Sequence, residues 1–298
     1  MNRRTFTMLA GSAALATAAP AEDKKSPGVT PYKMGFAPHP RMLPTGPKDY
    51  LDQLQFAHDH GFRAWEDNGL TRQDPRLWEK VGEFMKDKKM ALGVSVITGG
   101  HGMPFSKPTD EGVKKILEDM KKGIALSKAT GQSWMTMIPG PRLKDVPLAD
   151  QIKGSVDVMT RCCDVVEEQG IILVQEPLSH GVKGGPPLLR SFQDGYDLCK
   201  LVNRKSCKLL ADFYHEGQIG NELIPNAEKT WDEVAYIQYG DVPGRKEPGS
   251  GKLDYQAVTK WLHDKGYQGV IGMEHGVSAK GKEGLSKLLT SYRDIDVA

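Results

Sequence analysis

The chain has 298 residues, 39% of them hydrophobic and 26% charged, with a formal net charge of +2. That balance leaves no basic footprint for DNA or RNA, so nucleic acid is not an expected partner. The four cysteines (Cys162, Cys163, Cys199, Cys207) form neither a C-x-x-C pair nor a zinc-knuckle spacing, which favours free, partly buried thiols over a disulfide framework.

Residues 1–21 read as a leader: Arg3-Arg4, an uncharged stretch over 5–20, and two A-x-A sites at Ala16-Thr17-Ala18 and Ala19-Pro20-Ala21. Arg3-Arg4 before Thr5-Phe6 resembles a twin-arginine export signal, so a periplasmic or other extracytoplasmic location is expected. The stretch falls short of the about 20 apolar residues of a membrane span, so no stable membrane insertion is expected after processing. Removing its 21 residues from 298 leaves 277 and takes the two arginine charges with it, so the remaining formal charge is zero. A polar linker over 22–30 leads into one domain, 31–298, near the usual size of a single (β/α)8 TIM barrel.

From there one pattern repeats. Short apolar runs at 32–36, 62–66, 92–97, 134–138, 171–175, 208–213, 234–239 and 269–273 read as strands, several without alternation, as parallel strands covered on both faces do. Between them lie amphipathic helices with apolar residues at three- and four-residue steps, such as Leu77, Val81, Phe84 and Met85, or Val113, Ile116, Leu117, Met120 and Ile124. Asp74-Pro75 marks a helix start, and Gly61, Gly131, Gly170 and Gly266 stand where a left-handed helix end is wanted. The helix around 222–231 is the least regular.

In such a barrel, chemistry belongs at the C-terminal ends of the strands. Here those ends carry Glu66-Asp67, Gln175-Glu176, Asp212 to His215, Gln238 with Asp241, and Glu274-His275, together with His39, His101 and His180. Any one of these fits a salt bridge or a helix cap. Glu176, Asp212 and Glu274 follow apolar runs, and placing three carboxylates inside a barrel mouth costs several kcal/mol per unpaired ion, so a cation is their natural partner. With Gln238 they form an all-oxygen set suited to Mg²⁺ or Mn²⁺, with Zn²⁺ or Co²⁺ less favoured. Trp65 and Trp134 lie near pocket positions, with core packing the safer reading.

The segments Glu176-Pro177-Leu178, Asp212-Phe213-Tyr214-His215, Asp241-Val242-Pro243-Gly244-Arg245 with Glu247-Pro248-Gly249, and Gly272-Met273-Glu274 resemble the hydroxypyruvate isomerase group of the xylose isomerase-like barrels. The resemblance implies a metal held by Glu176, Asp212, Gln238 and Glu274, with Glu176 and Glu274 also the acid/base pair. It implies substrate contacts from His215 and Arg245; Glu66 and His101 are further candidates, and Arg245 reads equally well as an internal lock on its own loop. Gln238 stands where histidine is common, Ser179 where asparagine is, and His275 replaces an aromatic residue. The expected activity is a metal-dependent isomerase or epimerase of a small sugar or keto acid, working through an enediolate, and the resemblance leaves a homo-oligomer open as a partner arrangement. Its rivals are a dehydratase or lyase acting on a 3-keto sugar, phosphodiester cleavage, and a non-catalytic sugar-binding barrel.

Overall fold

A computed structural model describes residues 29–98, 103–183 and 185–297. The expected leader, most of the linker, and His101 lie outside these residues. The described strands are β1 (Gly35–Ala37), β2 (Ala64–Trp65), β3 (Ala91–Leu92), β4 (Ser95–Thr98), β5 (Trp134–Met137), β6 (Ile172–Gln175), β7 (Cys207–Asp212), β8 (Val234–Gln238) and β9 (Val270–Gly272). All their pairings are parallel, in a run β1-β9-β8-β7-β6-β5-β4 and a separate pair β2-β3. The Glu66 N–H donates to the Pro38 carbonyl at 3.0 Å and joins β2 to the end of β1, so the sheet curls round into the α/β barrel expected from the alternation.

The third expected strand is broken in two. The Gly93 N–H still donates to the Trp65 carbonyl at 2.7 Å, but the Gly93 carbonyl is taken by the Gln132 side-chain amide instead of a neighbouring strand. The ladder therefore stops at Leu92 and resumes at Ser95.

Helices α1 (Tyr50–Asp59), α2 (Pro75–Lys88), α3 (Asp110–Thr130), α4 (Leu148–Val166), α5 (Phe192–Val202), α6 (Phe213–Gln218), α7 (Leu223–Thr230), α8 (Tyr255–Asp264) and α9 (Gly281–Ile295) alternate with the strands. Local chemistry sets their ends. Asp74 caps α2 by accepting from the Arg76 N–H, with Pro75 at the first helical position. Gly61, Gly131, Gly170 and Gly266 all have φ between +71° and +95°, the left-handed region that lets a helix stop in one residue. The irregular stretch after β7 holds two short helices, α6 and α7.

Two apolar layers result. Ala37, Ala64, Val94, Val174, Leu210, Tyr236 and Val270 fill the lower part of the barrel interior, while outward residues such as Leu173, Leu209, Ile237 and Ile271 join the layer under the helices. Strand side chains alternate, so counting two on from Ala64, Val174, Leu210, Tyr236 and Val270 gives Glu66, Glu176, Asp212, Gln238 and Gly272 in the next layer, towards the mouth. All four cysteines are free and fully buried, with the Cys199 and Cys207 sulfurs 4.0 Å apart. Among the described residues no helix is long and apolar enough to cross a membrane.

Candidate active site

Each polar side chain at the mouth is aimed by its own element. Asp212 ends β7 and at once caps α6, its Oδ1 accepting from the Tyr214 N–H at 2.9 Å. That leaves Oδ2 for Arg245, whose Nη2 donates to it at 2.6 Å and to Glu274 Oε2 at 2.8 Å. Arg245 reaches them because its own φ is +50°, directly after Gly244 at +96°. Its Nε donates to the Glu274 carbonyl at 2.7 Å, and its guanidinium lies over the Tyr214 ring at 4.6 Å.

The loop carrying Arg245 is held by other residues. Asp241 accepts the N–H groups of Val242, Gly251 and Leu253, and Glu247 accepts the Ser278 N–H and hydroxyl. Arg245 is thus not a lock on the 241–247 loop by pairing with Asp241 or Glu247. Its ion pairs run inward, to the site.

His215 stands one helical turn after Asp212, with Nε2 3.5 Å from Asp212 Oδ2 and 3.7 Å from Glu176 Oε1. The candidate donor atoms of Glu176, Asp212 and His215 all lie within 4.8 Å of one another, a spacing open to a metal ion. The state of the histidine decides its part. The Ser179 backbone N–H donates to Nδ1 at 3.1 Å, so Nδ1 is an acceptor and the neutral ring carries its hydrogen on Nε2. Burial, followed by the charge of Arg245, lowers its pKa to about 2, so the ring is neutral. Its buried Nε2–H has no hydrogen-bond partner and points at the carboxylates as a donor, not as a lone pair for a metal.

Gln238 lies in register between Asp212 on β7 and Gly272 on β9. Its Nε2 donates to Glu66 Oε1 at 3.0 Å, while its Oε1 is buried without a partner. Glu66, a candidate for substrate contact, is instead fully buried beneath the mouth, its second oxygen taken by the Tyr236 hydroxyl at 2.7 Å. Glu274 is turned towards Arg245 and towards Asn68, whose Nδ2 donates to Oε1 at 3.1 Å.

Arg245 therefore stands against three carboxylates, Glu176, Asp212 and Glu274, with Glu66 buried beneath them, and the electrostatics register the imbalance. Burial and then Glu274 raise the Glu66 and Glu176 carboxyls well above the ordinary range. Asp212 is raised to about 7 by burial, which Arg245 only partly offsets. The buried carboxylates described at the mouth thus outnumber the guanidinium that pairs with them. Glu176 and Asp212 with the orphaned Gln238 oxygen, and Glu274 across the mouth, are chemically suited to a hard divalent ion.

Asn68, Ser179 and Tyr236 are the site residues that strand-end reasoning did not single out as contacts. Asn68 and Tyr236 were reachable by two-residue counting from Glu66 and Gln238. Other strand-end polar residues are structural: Asp67 accepts from Tyr50 and Gly69, and His275 bonds the Tyr292 hydroxyl and the Gly276 carbonyl. Trp65 is buried in the layer under the helices, and Trp134 packs on Tyr236 at 6.0 Å between ring centres.

A parallel barrel with buried carboxylates and one arginine at the C-terminal mouth defines a class of enzymes that stabilise charge on a small substrate. Residues 54–294 match the family model described as the Xylose isomerase-like TIM barrel, and the chain belongs to that family. Inosose isomerase of Bacillus licheniformis is 23% identical over 230 residues, covering 70% of this chain and 80% of that protein. A putative hydroxypyruvate isomerase of Mus musculus is 26% identical over 183 residues, covering 59% of this chain and 65% of that one. The 3-keto-D-glucoside 4-epimerase of E. coli superposes with a TM-score of 0.74 at 19% identity, covering 88% of this chain and 99% of that chain. The isomerase class expected from the sequence is the class these relatives are named for.

Proposed function

We propose that this enzyme isomerises or epimerises a small sugar or keto acid, with a divalent ion held by Glu176, Asp212, Gln238 and Glu274. The observation that carries the reading is the excess of buried carboxylates over the one arginine that pairs with them, together with the unpartnered Oε1 of Gln238, which lies in strand register with the fully buried Asp212. An all-oxygen set favours Mg²⁺ or Mn²⁺ over Zn²⁺, and the protonated Nε2 of His215 keeps that histidine out of it. Bound there, the ion supplies Lewis-acid stabilisation of negative charge on the substrate's oxygens.

The chain's own residues supply the rest. Glu176, buried at the end of β6 within reach of the mouth, is the carboxylate that takes a proton from carbon next to a carbonyl and returns it. Glu274, held by Asn68 and Arg245 at about a quarter exposed, is the second proton carrier, on the side open to solvent. His215 Nε2–H donates to a substrate oxygen, and its lowered pKa keeps it a neutral donor through the cycle. Arg245 fixes Asp212 and Glu274 and stands ready to pair with an anionic substrate group. Export through the 1–21 leader belongs to the same reading, and fractionation of cells expressing the full chain tests it.

The test of the reaction is metal analysis of purified protein, followed by NMR of products from a panel of keto sugars and keto acids. One bound divalent ion and an isomer or epimer is the expected result. Loss of water or of a glycoside would replace the isomerase reading with a lyase, and absence of any metal would remove the ion.

A further inference from the structure

Two glycines in the barrel interior keep open space that no side chain of their own fills. A Cβ at Gly272 would lie 1.9 Å from Glu66 Oε2, and a Cβ at Gly93 would lie 2.1 Å from the Tyr236 hydroxyl. Neither position has a left-handed backbone, so the requirement is for space and not for conformation. What occupies the space is a chain of three polar groups: the Tyr236 hydroxyl donates to Glu66 Oε2, and Gln238 Nε2 donates to Glu66 Oε1. Tyr236, Glu66 and Gln238 are all 1% exposed or less.

An amide at 238 offers two nearly isosteric ends, an oxygen and an NH₂. Rotating it by half a turn would place its oxygen against a Glu66 carboxylate oxygen, acceptor against acceptor, at hydrogen-bond distance. Glu66 cannot swing away to accept that rotamer, because Tyr236 holds its other oxygen over the hollow of Gly272. With Glu66 ionised, only one orientation of Gln238 satisfies both groups. In it the NH₂ faces Glu66, and the oxygen is the end left without a partner.

We infer that Glu66 and Tyr236 are positioning residues whose task is to fix the Gln238 amide so that its oxygen, not its nitrogen, is offered to the cation. This rests on the reading of a divalent ion at Glu176, Asp212, Gln238 and Glu274. It assigns to Glu66 a different part from substrate contact, and explains how an amide serves at a strand position where histidine is common in similar barrels. A carboxylate that anchors the far end of a ligand side chain is a frequent support for metal sites, and its loss commonly weakens binding by about 10- to 100-fold.

The test is titration of Mn²⁺ into chelator-treated full-length protein, followed by the electron paramagnetic resonance of the free ion. Wild type binds one equivalent. Glu66→Gln makes both amide orientations possible and should weaken binding about 10- to 100-fold, and Tyr236→Phe, which leaves the carboxylate, by a smaller factor. The exchanged pair Glu66→Gln with Gln238→Glu reverses donor and acceptor and again leaves an oxygen for the ion, so it should recover most of the affinity lost in Glu66→Gln. In the Gln238→Glu background Glu66→Gln should raise affinity, the reverse of its effect in wild type, whereas a merely structural role for Glu66 predicts a loss in both. Circular dichroism checks that each variant is folded; should Glu66→Gln not fold, Tyr236→Phe and the exchanged pair still decide. Wild-type binding with unchanged affinity in Glu66→Gln overturns the positioning role alone. A wild type that binds no Mn²⁺ overturns the metal reading and this inference together.

Discussion

The two arcs of the barrel reach the mouth in different ways. From β6 to β9 the strands pair in one run, with a register shift between Leu209 and Leu210, and their ends carry Glu176, Asp212, Gln238 and Glu274, with His215 and Arg245 on the segments that follow. From β1 to β4 the strands are short, the β2-β3 pair stands apart, and Gly93 interrupts the third strand. That arc sends in Glu66 and Asn68, and both bond to residues of the first group. One arc presents the groups we propose to take part in the reaction, and the other holds Gln238 from below and Glu274 from the side.

The largest effect should follow from striking the presenting arc at its proton carriers. Glu176→Gln or Glu274→Gln keeps shape and loses the exchangeable proton site, so turnover should fall at least about 10²- to 10⁴-fold with the fold intact, read by product NMR and circular dichroism. Full activity in both variants would mean that the arc presents something other than acid and base.

Arg245 tests the charge balance of the same arc. Arg245→Ala leaves the buried Asp212 unpaired, and breaking a pair of this kind costs about 3–5 kcal/mol in a fully buried setting, less here because Arg245 is 24% exposed. Denaturant unfolding should show the loss chiefly in chelator-treated protein, and added Mn²⁺ should restore part of it. Equal losses with and without metal would separate Arg245 from the cation.

The supporting arc is read by Gly272→Ala. The added carbon would lie 1.9 Å from Glu66 Oε2, so Glu66 must move or the variant is overpacked, at a cost of about 1–3 kcal/mol. Unchanged stability and unchanged metal affinity would show that the hollow is slack.

Much of this was open to reading along the chain, for reasons tied to particular residues. The strand ends, the Asp74-Pro75 helix start and the left-handed glycines are local signals, legible because their causes lie within a few residues. The resemblance carried by Asp241–Gly249 led to the right family. What could not be read depends on contacts distant in sequence. The protonation of His215 is set by the Ser179 N–H, 36 positions away, and Glu66 is met by Gln238 at a separation of 172. The break at Gly93 needs the Gln132 side chain. Two-residue counting shows which side chains face inward, but not which of them touch.

The smallest expected effect lies outside the reacting groups. His275 is buried, its Nδ1–H donating to the Gly276 carbonyl and its Nε2 accepting from Tyr292, and burial lowers its pKa to about 3. Between about 3 and the ordinary 6.5 the unfolded chain binds a proton at this residue that the folded chain does not. This group therefore takes stability away as pH falls below 6.5, at up to about 1.4 kcal/mol per pH unit. His275→Gln should remove that contribution from the slope of unfolding free energy between pH 6.5 and 5; an unaltered slope would mean that His275 is charged when folded.

The central claim, a cation-assisted proton transfer at the β6–β9 arc, is tested most directly by solvent deuterium exchange. Wild-type protein loaded with Mn²⁺ and incubated in D₂O with keto sugars and keto acids should place deuterium on carbon next to the carbonyl of its substrate. Chelator-treated protein and Glu176→Gln should not. Exchange that persists undiminished after the metal is removed, or product formed with no deuterium on carbon, would contradict the account.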